Sequence, residues 1–400
     1  MIHSIYAKNF YSVDQKTCLN FVVDAKAPKN DGYYTSRAGV RVSLVEDVIG
    51  PNASGKTNLL RILPLLKWLI VDSWANDPNG ELPSTPFKPH QEEQESTELG
   101  VVFEVDGTIY TYDVKLLHNR IVLEELSAQT KSARRITKKK LFSRIYDPDK
   151  SAYALSLPGF GAPKGFKDVL RDNATILSTA IRLNHPLGKK IADYWSKTQS
   201  NIYQYGWGGS HLYGAFQPQV LVSSIKYYHE HPELKSQAEE ILARYDIGFD
   251  SFRTELINNQ LTLLAAHSFG ESKFDLSLND ESSGTISLLV LLVVLLKVLE
   301  TGGVAVIDEL DASLHPEMVQ ELVGLFTDKM ANHDHAQLLF STHNTRILQQ
   351  LDKYQIVLAE KDDCGATESW RLDEVKGVRS DDNYYVKYMS GAYGATPKIG

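Results

Sequence analysis

Gly50-Pro51-Asn52-Ala53-Ser54-Gly55-Lys56-Thr57 follows an apolar run (Val40, Val42, Leu44, Val48, Ile49) and leads into Leu59-Leu60-Arg61-Ile62-Leu63. The order is strand, glycine-containing loop and helix start, the context in which GxxxxGK[ST] cradles phosphate. Gly50 and Gly55 let the backbone curl so that several N–H groups and a helix N-terminus converge on one anion. Lys56 is placed to reach the β and γ phosphates. Thr57 offers a hydroxyl suited to Mg²⁺, a hard cation that keeps most of its waters and needs few protein ligands. The stretch predicts a nucleoside triphosphate site.

The 400 residues exceed one small domain and suit a large α/β unit with inserted or appended subdomains. With 42% hydrophobic and 23% charged residues the chain can build an ordinary packed core. A net charge of −8 excludes a nucleic-acid-binding polycation but leaves room for local basic patches. Cys18 and Cys364 lack metal-ligand spacing, which predicts a reducing compartment and no structural zinc. Met1-Ile2-His3-Ser4-Ile5 lacks the basic and then apolar pattern of a secretory leader. The longest apolar run, Leu288 to Leu296, is about half of a membrane span. A cytoplasmic chain with no membrane partner is expected.

Three lobes follow from periodicity. Residues 1–150 read as a nucleotide-binding lobe: strands at 2–7 and 18–23, the phosphate loop, a buried helix over Leu59 to Ile70 that Pro64 kinks or ends, and a loop over 74–98. Alternating strands then flank a turn at Asp106-Gly107, and a second pair spans 120–126 and 139–145. Their connection, Lys131 to Lys140, is rich in Lys and Arg; a solvated hairpin tip is the first reading and nucleic-acid phosphate the second. Residues 151–248 have helical periodicity at 166–183, 188–195 and 232–245, which reads as a helical insertion. His229, Glu230 and His231 do not share a helix face and read as an exposed turn rather than a metal site. Residues 249–400 return to strands. They carry Ser282-Ser283-Gly284-Thr285 capping an apolar helix, the strand Val304-Ala305-Val306-Ile307 ending in Asp308-Glu309, and Leu338 to Ser341 leading to His343.

In this order, phosphate loop, Ser-x-Gly turn, strand ending Asp-Glu and strand ending in His resemble the heads of ABC-type ATPases, and among them the stand-alone SMC, RecF and OLD-type heads. The chain is similar in particular to phage-defence ATPases of the AbiL, RloA and PARIS kind. The likeness is carried by Ile5 to Ser12 (that family's kNFrS), LRDNATILSTA at 170–180, DELDASLHP at 308–316 and the tail from Arg379 to Ile399. Two features depart from the pattern. Tyr11, a candidate to stack on the base, stands where an Arg is common, and the metal-linking glutamine of transporter heads has only Gln91 or Gln94 as candidates.

The resemblance implies an α/β ABC-type P-loop ATPase head with a mixed sheet, an antiparallel β-subdomain and a helical insertion. Its expected ligands are ATP, held by Gly50 to Thr57, and Mg²⁺, held by Thr57 and, through water, by Asp308. Glu309 is the implied general base, with Lys56 and His343 at the γ-phosphate. Ser282 and Gly284 act in trans in a head-to-tail homodimer or an oligomer of dimers, with Asp311 in the crossing loop. Hydrolysis is expected to be a slow switch. OLD-type proteins add a Toprim nuclease, whereas the residues after His343 offer two strands and a tail without clustered acids. The expected role is sensor and regulator of a separate nuclease-like effector in anti-phage defence. The alternative is a RecF- or SMC-like DNA-repair ATPase using Lys131 to Lys140.

Overall fold

The structure, a computed structural model, describes residues 1–89, 95–131, 136–202, 218–245, 248–257 and 260–396. The chain opens with β1 (Ile2–Lys8) and β2 (Thr17–Asn20), then the hairpin β3 (Tyr33–Thr35) and β4 (Arg41–Ser43). The buried strand β5 (Val45–Ile49) feeds the phosphate loop and helices α1 (Lys56–Leu60) and α2 (Ile62–Lys67). Next come β6 (Thr97–Val105), β7 (Thr108–Leu117), β8 (Arg120–Lys131), β9 (Ile136–Asp147) and β10 (Ala152–Ser156). Helices α3 (Ile176–Arg182) and α4 (Pro186–Trp195) lead to β11 (Gln199–Ser200), α5 (Pro218–Glu230) and α6 (Pro232–Tyr245). A meander of β12 (Phe249–Ile257), β13 (Gln260–Phe269) and β14 (Ser272–Ser277) precedes α7 (Ser283–Thr301) and β15 (Val304–Ile307). The chain finishes with α8 (Pro316–Thr327), β16 (Gln337–Ser341), β17 (Ile356–Lys361), β18 (Thr367–Arg371) and α9 (Tyr384–Met389).

Two sheets position the site. One has the order β11-β15-β16-β5-β17-β18, parallel except for the last strand. Its central strands β5, β15 and β16 are buried on both faces, as parallel strands require. Val48, Val304, Val306, Leu339 and Val357 enter one core, while Val45, Ile49, Ala305, Ile307, Leu338 and Phe340 enter the other. The second sheet is antiparallel, in the order β10-β9-β8-β7-β6-β1-β2. Its β6–β7 turn holds Asp106 at φ 48° and Gly107 at φ 76°, the doubly positive pair a two-residue hairpin needs.

The expected run from Val40 to Ile49 divides at Leu44: β4 pairs with β3, and β5 alone joins the parallel sheet. Pro64 does not end the helix. Its missing N–H leaves the Leu60 carbonyl without its helical donor, and the break falls at Arg61, between α1 and α2. Helix then continues through α2 into a π-helical turn at Trp68–Asp72. The segment expected to be a loop up to residue 98 already contains the start of β6.

Helices α3 and α4 place Ile176, Leu177, Ile191 and Trp195 in the first core. In the second core, α5 and α6 place Ile225, Tyr228, Leu234 and Ile241 around α7. By length and composition α7 could cross a membrane, with a mean hydropathy of 2.1. It outruns its unbroken apolar stretch because Ser282 caps one end and Gly302, at φ 71°, closes the other. It packs against α5, α6 and β15, with 56% of its apolar window buried.

Candidate functional site

β5, β15 and β16 deliver the phosphate loop, Asp308-Glu309 and His343 to the same carboxyl edge of the parallel sheet, the usual ligand edge of such sheets. There a cavity of about 380 Å³ is lined by Asn52 to Asn58, Ser12, Arg61, Asp308, Glu309, His343 and Lys361.

The two glycines of the loop act differently. Gly55 sits at φ 99°, left-handed backbone, and a Cβ there would lie 2.0 Å from Thr367 Oγ1. Gly50 is needed for close approach: a Cβ would lie 2.0 Å from the Ala359 carbonyl oxygen of β17. The Lys56 ammonium donates to the carbonyls of Gly50 (2.9 Å) and Pro51 (3.1 Å). Burial pushes its pKa down, against the pull of Asp308, Glu309, Asp47 and Asp311.

Asp308 is held from three sides. Its carboxylate accepts from Thr57 Oγ1 at 2.7 Å and Ser341 Oγ at 2.6 Å. Its backbone N–H and C=O pair with the side-chain amide of Asn201, both at 2.8 Å. The Thr57 hydroxyl and Asp308 carboxylate are hard oxygen donors facing the phosphate loop, a set that fits Mg²⁺. Glu309 adopts φ 51°, a strained conformation for this residue type, and its N–H donates to Ser341 Oγ at 2.9 Å. That turn presents Glu309 Oε1 3.9 Å from His343 Nε2, with the two side chains 43% and 41% exposed. A carboxylate and an imidazole thus meet at an open cavity mouth, where a water can reach both.

Asp311 does not line the cavity; its carboxylate accepts the His343 N–H at 3.1 and 3.2 Å. Ser282 and Gly284 also lie outside the cavity of their own chain. Ser282 is exposed and caps α7 by accepting from the Thr285 N–H, and a Cβ on Gly284 would sit 3.1 Å from the Ser313 carbonyl. Tyr11 is half-buried at φ 51° with the Arg61 guanidinium 4.9 Å from its ring centre, and it does not line the cavity. Gln91 and Gln94 lie outside the described residues, as do residues 132–135 of the basic connection. His229 bonds Thr254 and His231 stacks on Tyr227. No group of three or more potential metal-binding side chains occurs among the described residues.

Sequence reasoning missed Asn201, Ser341, Lys361 and Thr367. Thr367 donates from its hydroxyl to the Ser54 carbonyl at 2.9 Å and from its N–H to the Ser12 carbonyl at 2.6 Å. Asn201 acts on Asp308 across 107 residues and Thr367 on the loop across 313, and no local pattern marks either.

Residues 48–349 match the family described as "AAA domain, putative AbiEii toxin, Type IV TA system", and the chain belongs to that family. Its fold is mixed α/β, with the phosphate loop at the edge of a six-stranded mixed sheet and a separate antiparallel sheet beside it. The SMC head domain from Thermotoga maritima is similar at 15% identity and TM-score 0.41, covering 92% of this chain and 98% of that one. An Smc head from Pyrococcus furiosus, with an extended coiled coil and bound to the C-terminal domain of ScpA, is similar at 14% identity and TM-score 0.43, covering 93% and 97%. No curated protein sequence matches the chain.

Proposed function

We propose that the protein binds and slowly hydrolyses ATP in a head-to-tail homodimer and uses the resulting change of shape to regulate a separate effector. The observation that carries this reading is Thr57 bonded to Asp308 at 2.7 Å, with Glu309 and His343 beside it at the mouth of the phosphate-loop cavity. Lys56 and the loop amides hold the β and γ phosphates, and Thr57 and Asp308 hold Mg²⁺. When bound, Mg²⁺ neutralises charge on those phosphates. Glu309 orients a water on the γ-phosphorus and takes its proton as the bond to the β-phosphate breaks. His343 touches the γ-phosphate and registers its loss.

Ser282 and Gly284 cap the nucleotide of a second copy. Support comes from their placement at the head of α7, where Ser282 is exposed and Gly284 half-buried, and both are absent from the cavity of their own chain. Because the site is complete only when two copies close, turnover is slow and conformational. The effector is a nuclease-like toxin in anti-phage defence, a reading supported by the toxin named in the family description.

Glu309→Gln tests the core of the proposal. Nucleotide binding is expected to persist, turnover to fall by about 10² to 10⁴, and dimers to accumulate in light scattering with ATP. Turnover at the wild-type rate removes Glu309 as base. For the effector, co-purification with a neighbouring gene product is expected, and an isolated chain that itself degrades nucleic acid contradicts the assignment. ATP-dependent DNA binding is the second reading, supported by the exposed Lys138 and Lys139 near the β8–β9 hairpin tip. A gel shift abolished by neutralising both lysines would favour it.

A further inference from the structure

The hairpin β17–β18 lies against the phosphate loop at Ala359 and Thr367. The Ala359 carbonyl on β17 occupies the space a Cβ on Gly50 would need, and Thr367 on β18 does the same at Gly55. Thr367 also bonds Ser54 and Ser12, including a contact of 2.8 Å between its hydroxyl and that of Ser12. The loop and the hairpin are therefore tied together by close packing and hydrogen bonds.

Lys361, the last residue of β17, lines the nucleotide cavity. Three cations line it, and two are engaged. Lys56 donates to two loop carbonyls, and Arg61 donates to Asn58 and covers the Tyr11 ring. The half-buried ammonium of Lys361 makes no hydrogen bond and no ion pair among the described residues. Its neighbour Asp362 does not neutralise it at contact distance, because Asp362 Oδ1 accepts from the N–H groups of Cys364 (2.9 Å) and Ala366 (2.8 Å) and so closes the hairpin turn. Burial pushes the Lys361 pKa down, with Asp362 opposing. A partly desolvated cation with no partner, facing a cavity whose other wall is a phosphate loop, is unfavourable until an anion arrives.

We propose that Lys361 is a phosphate-binding residue of the nucleotide site, donating to a non-bridging oxygen of the triphosphate from the hairpin side, and that Thr367 is the positioning residue that fixes the hairpin on the loop. The proposal rests on the nucleotide reading above and extends the site to a C-terminal element that the motifs do not include.

The test titrates the full-length chain with fluorescent ATP, ADP and adenosine analogues in Mg²⁺. Lys361→Ala is expected to weaken ATP binding by about 10- to 100-fold, as for loss of a charge-assisted hydrogen bond. It should leave adenosine binding unchanged and flatten the salt dependence of ATP binding. Lys361→Arg keeps the charge and is expected to return to within a few-fold of wild type, and Lys361→Gln to behave like the alanine variant. Thr367→Val keeps the shape without the hydroxyl and should weaken ATP and ADP alike. Wild-type ATP affinity in Lys361→Ala, or an arginine variant as weak as the alanine one, overturns the proposal and leaves the nucleotide reading standing. A wild-type chain that binds no triphosphate overturns both.

Discussion

Glu46 and Asp47 are consecutive residues of the strand that feeds the phosphate loop. Both are fully buried, and none of their carboxyl oxygens has a hydrogen-bond partner among the described residues. Burial raises both pKa values well above the usual carboxyl range, with Asp311 adding to the effect at Asp47 and Lys56 opposing it; at Glu46 the main opposing group is Arg371. In the unfolded chain these groups ionise near pH 4. Their folded pKa is raised, so their contribution to stability is fully present below pH 4 and is lost as pH rises toward the folded value. Each group costs about 1.4 kcal/mol per pH unit across that window. Urea midpoints of the wild type are therefore expected to fall between pH 5 and pH 8, and Glu46→Gln with Asp47→Asn to flatten the fall. An identical pH slope in both proteins would show the carboxyls to be paired or hydrated. The phosphate loop was legible in the sequence because its chemistry is local. The strand before it was legible too, from Val48 and Ile49, but the acids concealed its bounds: a reading by hydrophobicity runs the strand from Val40 and skips Glu46 and Asp47, which lie inside the fully buried β5.

At the level of elements, LRDNATILSTA turns out to be a structural clamp. Asn173 donates to the carbonyls of Asp77 (2.7 Å) and Gly80 (3.0 Å), and Arg171 reaches those of Trp74 and Asn76. Thr175 caps α3 and bonds the Leu69 carbonyl. Glu124 of β8 accepts the first N–H of α3 at 2.8 and 2.9 Å and pairs with Arg144 of β9 at 2.9 Å, with side chains 0% and 2% exposed. A negative group at a helix N-terminus is favourable, and breaking a buried pair from one side costs about 3 to 5 kcal/mol. Arg144→Met should lower unfolding stability by that amount in denaturant titrations, and adding Glu124→Gln should cost less than the separate effects summed. Strict additivity would mean the two residues are not coupled. The sequence suggests one helix from Phe166 to Leu183; the structure has a 3-10 turn at Phe166–Val169, an irregular stretch and then α3. Periodicity misled there because Ala174 and Thr175 are buried for capping and carbonyl contacts rather than on a helical face.

Across the whole molecule, the tail closes over the turn behind His343 and the end of β17. Tyr384, Tyr388 and Tyr393 are buried in the second core, and α9 packs on the 3-10 turn Thr345–Gln349 that follows His343. The Tyr388 hydroxyl donates to the Ala395 carbonyl at 2.7 Å, and the Ala395 N–H donates to Glu360 Oε2 at 2.8 Å. Glu360 and Lys361 are neighbours on β17 and point to opposite faces, one to the tail and one to the cavity. This connection joins residues that local sequence patterns cannot relate, so the tail was visible only as a family likeness. A hairpin that shifts when phosphate binds therefore moves the tail's anchor. Glu360→Ala should speed hydrogen exchange at the Ala395 amide and lower stability by about 1 to 3 kcal/mol, as for loss of a hydrogen bond to a charged group. ATP should slow exchange across residues 384–396 in the wild type but not in this variant, while the variant still binds ATP. If ATP protects the tail equally in both, the tail responds through His343 and the turn behind it rather than through the hairpin.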